Sequence, residues 1–257
     1  MMRFSLAFCA LAFSVSAAAQ TFPQPGRPVR IVVPFPPGGQ TDIQARAIAQ
    51  KMSATLGISV IVENKPGGST IIGAREVQKA APDGHTLLYT IATHVQNPHL
   101  NGEKFKRLAS IDIVHVPYKG SGDAMRDHLS GVAQLFFDGP TNALQNVKTG
   151  RVKMLAAAAE TRYAAMPDLP TMRELGYDVG YWGYLWFWGP AGMPPGLVDA
   201  VYRHLAFAIK HPDLVKLFAD GGSEASGMPP AEMVRTAKEL SERWGAVIRE
   251  VGVKLDQ

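Results

Sequence analysis

Cysteine is almost missing from these 257 residues, and the one present, Cys9, lies in the first stretch of chain. No disulfide framework and no cysteine-ligated metal can be built from it. Runs of one charge are missing too. The Lys and Arg residues outnumber Asp and Glu by 26 to 22, but they are scattered, so nothing marks a nucleic-acid surface. The seven His show no metal-ligand spacing, and there is no G-x-x-x-x-G-K-[ST], G-x-S-x-G or H-E-x-x-H. No G-x-G-x-x-G follows a strand with an acidic residue in place. Nucleotide hydrolysis, serine-hydrolase chemistry and zinc catalysis therefore lose support, and no cofactor or metal is expected.

The opening MMRFSLAFCALAFSVSAAAQ has a cationic start at Arg3, an apolar run from Phe4 to Val15 and small residues at Ala17-Ala18-Ala19. That is the layout of a secretory signal peptide, so residues 1–19 are expected to be removed on export. A membrane anchor would need ~20 apolar residues, more than this run offers. Lipid attachment at Cys9 does not fit, because bulky Phe8 precedes it inside the run. The remaining chain, 46% hydrophobic and 19% charged over the whole sequence, has the composition of a globular protein.

Two stretches repeat one pattern: VPFPPGG at 33–39 and VPYKGSG at 116–122. Before the first, RPVRIVVPF at 27–35 is β-branched and apolar, as in a buried parallel strand. After it, Thr41 and Gln44 spell a T-x-x-Q capping box, and Ile43, Ala47, Ile48, Met52 and Leu56 form one stripe ending at Gly57. The unit recurs as strand 58–62, ENKPGGST, a helix through Val77, a PDG turn and strand 86–90. Two βαβ steps mean a parallel sheet with right-handed crossovers. From residue 113 the pattern restarts, with strands expected at 113–116, 134–138 and 153–159 and helices at 123–129 and 141–148. Beyond Pro194 two amphipathic helices, with a shorter one between them, are expected to pack back on the first sheet.

A strand that enters a glycine-rich turn and then a helix aims unpaired N–H groups and the positive helix end at one spot. Two such corners on facing lobes would hold an anion in a cleft. The candidate residues of the first corner are Phe35, Gly38, Gly39, Gln40 and Asp42; those of the second are Tyr118, Lys119, Gly120 and Ser121. Asp42 either favours the helix dipole, shapes the loop or orders water. Thr93 and His94, after strand 86–90, either donate to a carboxylate or cap their loop, and Lys119 either pairs with an acid or is solvated. Asp138, at the end of QLFFD, either accepts from a ligand hydroxyl or amine or caps the next helix. YWGYLWFWGP at 181–190 puts Trp182, Tyr184, Trp186 and Trp188 on one strand face, as ligand-stacking surface or as core where the lobes cross.

Taken together, the signal peptide, PFPPGGQTD, ENKPGGSTIIGA, APDGHTLL, THVQNP, HVPYKGSG, FFDGP, LPTMRELGY and GPAGMPP resemble, in that order, the substrate-binding receptors of tripartite tricarboxylate transporters, of the Bug (Bordetella uptake gene) type. The resemblance implies an α/β, two-lobe periplasmic-binding-protein-like fold (type II) with parallel or mixed sheets flanked by helices. Lobe 1 would comprise 20–100 and 188–257, and lobe 2, 101–187. It further implies a monomeric periplasmic receptor that performs no chemistry, closes on a small carboxylate and delivers it to membrane permease subunits. One wall of the pocket would be the first corner with Thr93 and His94, and the other Tyr118 to Ser121 with Asp138. Members of the family carry a further strand, helix and strand between THxxNP and VPYKG, where Pro98 to Gly102 here simply joins the two sides. NPHL at 97–100 reads as the scar of a deletion, which leaves the second lobe reduced. A secreted enzyme on a similar scaffold and a homologue that has lost binding are the alternative readings.

Overall fold

A computed structural model describes residues 22–91, 98–116, 118, 121–159, 161–163, 165–179, 184–221 and 223–251. The β-branched run expected to be a buried strand is one: β1 (Val29–Val33) has Val29, Ile31, Val32 and Val33 wholly buried. It lies between β2 (Val60–Asn64) and β3 (Thr86–Ile91), parallel to both, with Val29 opposite Val60 and Ile31 opposite Leu87. β4 (Leu185–Trp188) runs antiparallel along β3, Thr90 opposite Trp186, giving the order β2-β1-β3-β4. The three parallel strands thus end at one edge, at Val33, Asn64 and Ile91.

Alternation along the strands sends side chains to two faces, and each is covered. Val29, Ile31, Val33, Leu87 and Tyr89 meet Ile48, Ala49, Met52 and Leu56 of α1 (Gln40–Leu56). Leu197, Val201, Leu205 and Ala208 of α6 (Pro195–Ile209) and Leu214 and Phe218 of α7 (Pro212–Asp220) complete that layer. On the opposite face Val32 and Leu88 meet Val77 of α2 (Ile71–Gln78), with Trp188 alongside. The last helix, α8 (Pro230–Val251), packs chiefly on α3 (Pro98–Ala109) and α6. Its polar and apolar faces suit a helix packed on other helices.

The chain from α3 onward is built differently. α3 is one continuous helix across the expected junction at 98–102. Its Phe105 ring meets Tyr177 edge-on at 5.2 Å and Phe137 at 6.1 Å, and Lys104 Nζ reaches Asp178 at 3.1 Å. α4 (Ser121–Leu129) buries Ala124 and Met125, and α5 (Pro140–Lys148) buries Ala143 and Leu144. The strands expected at 113–116, 134–138 and 153–159 are not formed: the only pairing among the described residues of this half is an isolated parallel bridge between Ala157 and Thr171. A buried parallel strand needs a ladder on each side, and the stretch before 113 is spent on α3. Val114 is left 86% exposed and Leu155 63%.

The capping box is also corrected. α1 begins two residues earlier than a Thr41 cap would require, with Gly39 in the extended cap position and no side chain capping it. Thr41 and Gln44 are buried, and Gln44 Oε1 accepts from the Tyr89 hydroxyl at 3.1 Å instead of turning back to the helix start. The nearby sheet offers the amide a buried partner, which outweighs a local cap.

Candidate functional site

Above the sheet edge, β1 leaves Val33 through buried Pro34 and half-buried Phe35 into Pro36, Pro37, Gly38 and Gly39, all exposed. Gly38 has φ +83°, a region open to glycine and strained for other residues. Its N–H donates to Asp42 Oδ2 at 3.0 Å. Asn64 Nδ2 donates to Asp42 Oδ1 at 3.0 Å and to the Phe35 carbonyl at 3.1 Å, tying the end of β2 to the corner. Arg46, one helical turn on, completes the set, its Nε 3.0 Å from Oδ2 and its second amino nitrogen 3.0 Å from Oδ1. Burial alone pushes the Asp42 carboxyl up, but the bonds from Arg46, Gly38 and Asn64 and the Arg46 charge outweigh it and hold the group below its ordinary value. Asp42 therefore shapes the loop from inside. Gly38's donor is used internally.

Donors remain one step further on. The first helical bond of α1 runs from the Ile43 N–H to the Gly39 carbonyl at 3.0 Å, so the N–H groups of Gln40, Thr41 and Asp42 precede it. Among the described residues no side chain caps them. Together with the helix dipole they form a positive end aimed beyond the strand edge.

The second half reaches this spot through α5. Gly139 is the cap of that helix, without a side-chain cap, and Pro140 follows at its first turn. Gln40 links the two: its Nε2 donates to Ser223 Oγ at 3.0 Å, and its Oε1 lies where a Cβ on Gly139 would come within 3.0 Å. Asp138 turns back on the cap, its Oδ1 accepting from the Gly139 N–H at 2.8 Å.

The other candidates fall elsewhere. Tyr118 donates from its hydroxyl to Asp127 Oδ2 at 3.0 Å, and desolvation together with that carboxylate raises its pKa. Ser121 opens α4 and is exposed. Thr93, His94, Lys119, Gly120 and Trp182 lie outside the described residues. Tyr184 stacks on Trp186 at 5.6 Å and Trp186 meets Trp188 edge-on at 5.5 Å; Trp186 is buried, with its indole N–H unpartnered. Two open depressions, of about 520 and 770 Å³, lie away from the first corner, against α4 and α5 and beside Gly57 to Ile61. No grouping of His, Cys, Asp and Glu among the described residues could hold a metal, and no described helix is long and apolar enough to cross a membrane.

Asn64, Arg46, Gly139 and Ser223 were not foreseen. Asn64 and Gly139 carried a readable signal, since each stands in a quoted turn, ENKPGG or FFDGP. Ser223 carried none, because its role depends on a fold across 183 residues from Gln40.

A mixed α/β sheet flanked by helices, with an uncapped helix start at the carboxyl edge of its strands, defines a protein of the periplasmic solute-binding class. The chain matches the TctC family, the tripartite tricarboxylate transporter family receptors, over residues 44–102 and 94–253, and it belongs to that family. BugT of Bordetella pertussis is 27% identical over 308 residues, taking in 94% of each chain. A solved structure described as a periplasmic transporter is 30% identical with TM-score 0.81, covering 90% of this chain and 99% of that one. Rpa4515 of R. palustris, solved with adipate, has TM-score 0.82 over 89% of this chain and 98% of its own, but at 24% identity it shows the fold alone. The two family matches overlap at 94–102, and a 308-residue alignment takes in less than all of a 257-residue chain. BugT therefore carries residues within the alignment that have no counterpart here.

Proposed function

We propose that this chain is a periplasmic receptor that captures a small carboxylate at the mouth of the first corner and delivers it to the membrane subunits of a tripartite transporter. The observation that carries the reading is the uncapped start of α1 at Gly39 to Asp42, where the side chain of Gln40 approaches Gly139 of the second half. Such a helix end binds anions without a charged side chain, and donors of this kind suit a ligand that must be released again. In this reading the division into lobes 20–100 plus 188–257 and 101–187 holds, residues 1–19 direct export, and Thr93, His94, Lys119 and Gly120 complete the walls. Relatives described as periplasmic, and the neighbour that holds adipate, support the location and the ligand class. The protein captures its ligand and carries out no reaction.

The test is a melting scan of the purified chain with a panel of di- and tricarboxylates. A saturable rise in Tm without product formation is expected, amounting to ~2.7 kcal/mol at 100 Kd. Product formation by any of them overturns the receptor reading.

A second reading has its own observation. The half after α3 has no sheet among its described residues and leaves Val114, Val132 and Leu155 more than 60% exposed. A homologue that folds but no longer closes on a ligand would look like this, and a flat melting scan across the panel supports it.

A further inference from the structure

The receptor reading places a carboxylate at the start of α1 but leaves open what else the ligand carries, and two buried side chains of that helix bear on it. The strand order puts β2 on one side of β1 and β3 on the other, with α1 and α2 covering opposite faces, so the winding reverses between β1 and β3. In an open α/β sheet the crevice for a ligand lies beyond the strand ends at that reversal. Tyr89 of β3 stands there, one residue past the Val32–Leu88 pair and level with Val33, the last residue of β1. Gln44 of α1 reaches over to it.

Burial pushes the pKa of the Tyr89 phenol up, so it stays protonated, and its hydroxyl donates to Gln44 Oε1 at 3.1 Å. That bond takes the amide oxygen and leaves Nε2 to face elsewhere. Nε2 has no acceptor among the described residues. Neither has the Thr41 hydroxyl, three positions back on the same side of the helix. Both residues are only 4% exposed. Yet neither polar atom is sealed in: among the described residues, the side-chain N and O atoms both closed off from solvent and without a partner are Arg30 Nε and Trp186 Nε1. Two unused donors therefore open on the gap above the last row of β1 and β3. A polar group so deeply buried without a partner costs stability, and an acceptor brought by a ligand removes that cost.

The donors are an amide and a hydroxyl, both neutral, and the cation on this turn of α1, Arg46, is already held by Asp42 and Asn64. A second carboxylate placed here would lose its water without gaining a counter-charge, whereas a carbonyl oxygen has less hydration to lose. Resting on the receptor reading, we propose that Gln44, with Thr41, forms an inner subsite for an uncharged carbonyl oxygen. The receptor then favours carboxylates bearing a keto or carboxamide group over hydrocarbon carboxylates and over dicarboxylates of the same length.

Levulinate and valerate share a five-carbon chain and differ in one keto oxygen, and succinate replaces the methyl ketone by a carboxylate of the same shape. Titration calorimetry of the full exported chain is expected to give levulinate about tenfold tighter than valerate, the gain from one satisfied donor, and tighter than succinate. Gln44→Met removes the donor at constant length and is expected to bring the levulinate-to-valerate ratio close to one. It also strands the Tyr89 hydroxyl, so Gln44→Met combined with Tyr89→Phe, which removes both partners, is measured beside it. Melting curves show which variants keep the fold. Levulinate no tighter than valerate, succinate matching levulinate, or an unchanged ratio in the folded variants overturns the subsite while carboxylate binding stands. If none of the three binds, the subsite fails; if the melting scan over di- and tricarboxylates is flat as well, the receptor reading fails with it.

Discussion

The Asp42 carboxylate accepts the Gly38 N–H at 3.0 Å, four residues back along the chain, so the turn after β1 is closed from its own helix. The same group holds Asn64 and Arg46, and side-chain exposure of 5% keeps water from competing. Asp42→Ala leaves these donors without their acceptor and is expected to cost about 1–3 kcal/mol. Chemical denaturation reads the loss directly.

Asp42 also sets an acid limit. Its folded pKa lies below the ordinary 3.8, so its contribution is present in full above that value and lost as pH falls through the lower, folded one. Asp83, held down by the His85 N–H and Arg27 against its own desolvation, acts in the same direction. The Tm is expected to hold down to about pH 3.8 and to drop as the pH falls further, and to drop less in Asp42→Asn, whose side chain does not titrate.

Gly73 on α2 lies under the corner. A Cβ there would come 2.9 Å from Pro34 Cβ and 3.2 Å from the Lys65 carbonyl, neither on a flexible side-chain end. Gly73→Ala is expected to push α2 off β1 and destabilise by about 1–3 kcal/mol, visible as a lower denaturation midpoint.

Gly139→Ala should behave otherwise, since the atom it meets is the movable end of Gln40. Stability is expected to stay within about 0.5 kcal/mol. A change in carboxylate affinity with an unchanged melt is the expected pair of results.

Val114, Val132 and Leu155 present apolar surface where the second sheet was expected. Surface of this kind promotes association. Replacing Val114 and Leu155 by Thr is expected to reduce scattering of a concentrated sample while leaving the Tm unchanged. A fall in Tm of several degrees would mean these side chains are packed.

The first half was legible because its signals are local. Val29, Ile31, Val32 and Val33 are buried on both faces of the sheet and Leu197, Val201 and Leu205 repeat on one stripe, so strand and helix follow from composition and periodicity. α6 and α7 needed no homologue to be placed on the sheet. The second half misled for the same reason: IVHV and KMLAAAA have strand composition, but a strand exists only beside a partner, and composition does not show that the partner is absent. In the site, Gly38 and Gly39 were readable from Pro-Gly spacing, whereas the use of the Gly38 donor was not. Which acceptor takes an N–H is decided by rotamers of Asp42 and Asn64 that no spacing encodes. Ser223 and Gly139 belong to Gln40's surroundings only after the chain has folded.

The three-way grip on Asp42 has a consequence for capture. A loop rich in Pro and Gly that had to organise around its guest would lose affinity to its own ordering. Here the turn is set when the domain folds, so under the proposed function encounter with a solute requires no rearrangement of this loop.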